Sequence, residues 1–80
     1  MSVNVLYNLI LTVYMFSGEW DSQLVETNLT QQECASMFPL VKEVVNNMRK
    51  DDITNKVPKQ NQIDVAVAEC KAVDNFKVVF

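Results

Sequence analysis

Apolar residues recur at every second position from the start of the chain: Val3, Val5, Tyr7, Leu9, Leu11, Val13 and Met15. The alternate positions read Asn4, Leu6, Asn8, Ile10, Thr12, Tyr14 and Phe16. Side chains of a strand point alternately to opposite faces, so residues 3–16 predict a strand with one core face and one mixed face. Ser17-Gly18-Glu19 supplies turn chemistry, with the chain's single Gly where positive φ is needed. Residues 20–28 then read as a second, more polar strand, closing a hairpin.

The period changes at Thr30. Thr30-Gln31-Gln32-Glu33 has the spacing of a capping box, flanked at the staple positions by Leu29 and Cys34. Cys34, Met37, Phe38, Val41, Val44, Val45 and Met48 follow at helical spacing, with Arg49 and Lys50 placed as the last turn. Pro39 interrupts this stripe without shifting its phase. A kinked helix, or a short helix followed by a longer one, is expected. Residues 51–61, with Pro58, predict the longest loop. Alternation returns at residues 62–73: Ile63, Val65 and Val67 on one face, Ala66, Ala68, Cys70 and Ala72 on the other. The small residues would let a helix approach closely. Val73-Asp74-Asn75-Phe76 suits a two-residue hairpin turn, after which Phe76, Val78 and Phe80 form a short fourth strand or an apolar tail.

The order β-β-α-β(-β) predicts a single α+β domain of two layers: an antiparallel sheet ordered 2-1-3, with the fourth strand beyond 3, and one helix, kinked near Pro39, on one face. This topology puts Cys34, in the first helical turn, at the same end as Cys70, near the end of the third strand. In an oxidising setting the two could close a disulfide. In a reducing cytosol they read as two small buried hydrophobes.

Composition narrows the function by exclusion. The 80 residues contain no His, one Gly and two Cys, with seven Lys+Arg against ten Asp+Glu. Without His the commonest general base and zinc ligand are missing, and one Gly cannot build a phosphate loop. No enzyme activity, cofactor or metal site is expected. The carboxylate pairs Glu19/Asp21 and Asp51/Asp52 read as solvated groups at a hairpin tip and a helix end. The net charge of −3 disfavours nucleic acid and remains compatible with a basic protein surface. The apolar N-terminal stretch lacks a cationic leader region and is interrupted by Asn4, Asn8 and Thr12. It reads as a buried strand, with no membrane span and a cytoplasmic location.

One helix covers one sheet face. Leu6, Ile10, Tyr14 and Phe16 on the first strand, with Trp20 or Leu24 beyond, are left on the other. Such apolar patches mark interfaces, unless strand twist and the C-terminal tail cover them. Trp20, between Glu19 and Asp21, either folds back across the hairpin or stands out as a contact anchor. Candidate partner-binding residues are therefore Trp20, Glu19, Asp21, Tyr14, Phe16 and Ile10.

The strand Leu9–Val13, reading LILTV, with the Gly18-Glu19 turn and the helix start Thr30-x-x-Glu33-Cys34, resembles a family of small prophage-encoded domains of unknown function. The likeness covers the first half of the chain. Members carry cysteines around the turn, where this chain has Tyr14 and Trp20, so a shared disulfide scheme does not follow. The resemblance implies a phage or prophage origin and no activity. The expectation is a small acidic non-enzymatic protein that binds, and inhibits or modulates, a host protein or defence complex in the host cytoplasm. The alternatives are a self-associating protein, such as a homodimer through the open sheet face or edge strand 2, and an exported disulfide-stapled domain.

Overall fold

A computed structural model describes residues 5–80 of the chain. Strands β1 (Tyr7–Met15), β2 (Trp20–Leu29), β3 (Ile63–Lys71) and β4 (Asn75–Val79) form one antiparallel sheet ordered β2-β1-β3-β4. Helices α1 (Gln31–Ser36) and α2 (Phe38–Thr54) form a single bent unit on one face, and a 3₁₀ turn spans Lys59–Asn61. The α+β reading and the predicted strand order both hold.

β1 starts at Tyr7, later than its alternation suggests. Val5 and Leu6 are exposed ahead of the strand, and Val3 and Asn4 lie outside the described residues. From Tyr7 the predicted core face is real: Tyr7, Leu9 and Leu11 are buried and Val13 packs against them. Gly18 makes the turn at φ +94°, in the region that favours glycine.

The capping box forms as read. The Glu33 amide donates to the Thr30 hydroxyl at 3.1 Å, and the Thr30 amide donates to the Glu33 carboxylate at 2.9 Å. Pro39 does not sit mid-helix. The chain breaks at Met37, so Pro39 falls in the first turn of α2, where a missing N–H leaves no bond unmade. The stripe therefore stays in phase across the break. Two expectations fail beyond it. Residues 51–54 continue α2, so Arg49 and Lys50 are not in its last turn, and Asp51 and Asp52 lie within the helix. Arg49 instead donates to the carbonyls of Asp64 at 2.9 Å and Phe80 at 3.1 Å, pinning α2 to the β3–β4 end.

β3 carries its small residues toward the helix: Ala66, Ala68 and Cys70 have no exposed surface. Ile63 is buried as well, although strict alternation puts it on the opposite face. The register shifts between Tyr14↔Val65 and Met15↔Ile63, and this bulge turns Ile63 to the core side. The β3–β4 turn holds three residues rather than two, because Lys71 pairs with Asn75. Neither Asp74 nor Asn75 takes a positive φ. Asn75 Oδ1 instead accepts from the Ala72 amide at 3.1 Å, so a side-chain bond closes the turn.

Cys34 and Cys70 form a disulfide with Cα atoms 6.1 Å apart, joining α1 to β3. Beside it, Tyr7 stacks edge-on against Phe76 at 5.5 Å, and Phe38 against Phe76 at 5.8 Å. The Tyr7 hydroxyl donates to Asp74 Oδ1 at 2.8 Å, tying β1 to the β3–β4 turn.

Candidate functional site

The helical layer does not cover its sheet face evenly. α2 lies over β3 and is anchored at β4. Every residue of β2 except Leu29 is exposed. The surface of interest is therefore β2 and the two faces flanking it.

On the open face, the β1–β2 register pairs Tyr14 with Trp20, Thr12 with Ser22 and Ile10 with Leu24. The hydroxyls of Thr12 and Ser22 share a hydrogen bond of 2.7 Å between the two apolar pairs. On the far side of β1, Tyr14 pairs with Val65 and Thr12 with Val67, and Val67 pairs in turn with Val79. The patch runs across all four strands. Trp20 is 64% exposed, Leu24 59% and Tyr14 40%. Ile10 is half-buried. Toward the other end of the face the pairs become polar, with Glu69 opposite Lys77 and Lys71 opposite Asn75.

The predicted binding residues are thus partly gathered. Ile10, Tyr14 and Trp20 share the open face. Phe16 is 46% exposed, with the Lys59 ammonium 4.3 Å from its ring centroid. The amides of Phe16 and Ser17 donate to the carbonyls of Gln62 and Gln60, so the 3₁₀ turn docks on the hairpin end. Glu19 is exposed at the hairpin tip. Asp21 faces the helix side, where it lines a groove.

That groove is the feature sequence reasoning missed. It consists of two adjoining hollows of about 320 and 300 Å³ that share Leu11, Gln23 and Val44. Strand residues Val13 and Val25 line it from below, and Leu40 and Met48 from α2. The expectation was a helix covering one whole face. The small side chains of β3 draw α2 toward that strand, which leaves β2 exposed on both faces among the described residues. Ala66, Ala68 and Cys70 were the signal: small residues stood on β3 and large ones on β1.

Two titratable groups outside the groove have perturbed equilibria. The bond from the Thr30 amide, and the Thr30 hydroxyl with it, hold the Glu33 carboxyl below its ordinary range. The bond to Asp74, with burial and the Asp74 charge, pushes the Tyr7 hydroxyl up. Both are structural contacts. Among the described residues no three His, Cys, Asp or Glu side chains cluster as a metal site. No helix among them is long and apolar enough to cross a membrane.

Comparisons of the chain with protein-family models, curated proteins and solved structures return no match.

Proposed function

We propose that this chain is a small acidic, non-enzymatic protein that acts by binding another protein through the exposed half of its sheet. The carrying observation is the apolar open face, where Trp20 and Tyr14 stand side by side and exposed among the described residues. Interfaces concentrate their energy in such aromatic anchors. The resemblance of the hairpin and helix start to prophage-encoded domains makes a host protein the partner, and inhibition or modulation of a host enzyme or defence complex the outcome, in the host cytoplasm. Immobilised protein should retain a specific partner from host lysate, and a folded Trp20→Ala variant should lose it. Equal retention by that variant would remove the open face from the interface. A homodimer through the same face is the competing use, and light scattering separates the two: a clean monomer counts against it.

One observation favours a second reading. The Cys34–Cys70 bond joins two elements in the way an exported, disulfide-stapled domain requires. Ellman titration of protein taken directly from its native compartment decides this: two reactive thiols after denaturation place it in a reducing setting, none in an oxidising one.

A further inference from the structure

The two edges of the sheet differ in a way that identifies what β2 can receive. β4 is five residues long and carries Lys77, features that discourage edge pairing. β2 is ten residues long and contains neither Lys nor Pro. Its register against β1 shifts between Tyr7 and Leu9 and again between Leu9 and Ile10. Both bulges lie beyond Leu24, so the regular edge, unpaired among the described residues, is Trp20–Leu24. The Met15 amide donates to the Glu19 carbonyl at 2.8 Å, which sets the phase of the ladder. Antiparallel alternation then turns the N–H and C=O groups of Trp20, Ser22 and Leu24 outward, away from β1.

The chemistry beside this edge has one sign. Residues 1–41 hold the acids Glu19, Asp21, Glu26 and Glu33 and no Lys or Arg. The groove between β2 and α2 carries two charged residues, Asp21 from the strand and Asp52 from the helix, on otherwise apolar or amide walls. A second copy of the chain is a poor occupant, because its β2 carries no Lys or Arg to set beside Asp21 and brings a second Asp21 to the same face.

We propose that the Trp20–Leu24 edge accepts an extended, lysine- or arginine-bearing segment of a partner protein as a fifth strand. Alternate side chains of the incoming strand face the groove, where apolar ones meet Leu11, Val25 and Val44 and cationic ones lie near Asp21 and Asp52. This inference rests on the reading that the protein works by binding another protein, and it adds the partner's chemistry and backbone conformation.

The test is amide NMR on the full chain, titrated with a short synthetic peptide, Val-Thr-Lys-Thr-Val-Thr-Lys, which carries Val and Lys on one face of a strand. Controls are the same peptide with Glu in place of Lys, and one N-methylated along a single edge. Solvent exchange should slow at Trp20, Ser22 and Leu24 with the Lys peptide, and hardly change at Asp21 and Gln23, whose amides already face β1. Affinity should fall by about tenfold or more with the N-methylated peptide, and similarly in the folded double variant Asp21→Lys/Asp52→Lys. Raised salt should weaken binding in step. Equal binding of Lys and Glu peptides overturns the inference, as do equal binding after N-methylation and no binding at all. So does a dimer whose β2 amides are protected before peptide is added. Perturbations confined to Ile10, Val67 and Val79 overturn the edge-strand inference while leaving binding through the open face intact. Lysate capture unaffected by Trp20→Ala removes the open face without bearing on the edge.

Discussion

β3 and β4 lie beneath α2 and are tied to it at several points, whereas among the described residues β2 is held by its ladder with β1 and by its end at Leu29, which meets the core and α1. On the covered side, the disulfide joins α1 to β3, Arg49 reaches the carbonyls of Asp64 and Phe80, and Phe38 and Tyr7 close on Phe76. On the other side, β2 is exposed along almost its whole length, with a groove on one face and an aromatic patch on the other. A chain this small buries only about 60% of its unfolded surface, so it has little apolar material to spare. Here that material is concentrated under half of the sheet. The other half keeps its apolar side chains in water, where they can bind.

If this contrast is correct, substitutions should divide by location. The largest effect belongs to the disulfide. The cysteines are 36 residues apart in sequence, and removing the cross-link with Cys34→Ala/Cys70→Ala should cost about 3–4 kcal/mol in the loop-entropy picture. Urea unfolding with and without reductant measures this, and a midpoint insensitive to reductant would remove the covered half's main tie. Next comes Leu9→Ala, which opens a cavity at a side chain with no exposed surface and should cost about 3 kcal/mol. Leu24→Ala, on the adjacent strand but exposed, should cost well under about 1 kcal/mol in the same assay. Comparable losses for the two leucines would erase the distinction between the halves.

The helix cap comes third. Thr30→Ala should lower stability by about 1 kcal/mol. Its partner gives a pH signature. The folded Glu33 carboxyl titrates below its ordinary value of 4.5, so its contribution is fully present above that value and is lost as pH falls through the folded pKa. The Tyr7 hydroxyl is raised above 10.0, so its contribution is present below that value and is lost as pH rises through the folded pKa. Glu33→Gln should flatten the acid limb of the stability profile, and Tyr7→Phe the alkaline limb. The smallest effect is Trp20→Ala, which removes a cross-strand contact with Tyr14 and should change stability by less than about 1 kcal/mol while abolishing partner capture.

Much of the covered half could be read from residue order. Thr30 and Glu33 announced the helix start, because a capping box is a local device. Cys34 and Cys70 followed from topology once the helix direction was known. Misreadings arose where local pattern is silent. A bulge inverts the facing of Ile63, and no spacing rule locates bulges. Arg49 looked like part of a helix end because its real partners, the carbonyls of Asp64 and Phe80, are distant in sequence. For the candidate site, Tyr14, Trp20 and Ile10 were legible from strand alternation. The groove was not, since it depends on where α2 settles laterally. The Lys59 ammonium beside the exposed Phe16 ring was not legible either, since it comes from the far end of the loop.

Trp20 is the chain's only tryptophan and stands exposed at the hairpin end of β2, so its fluorescence is the most direct report on the contrast. In dilute native protein its emission maximum should lie close to that of the urea-unfolded chain, and it should move to the blue when a captured partner is added. A native spectrum already shifted to the blue, and unchanged on dilution, would mean that the ring is covered within the monomer and that the β2 half of the sheet is not the free surface described.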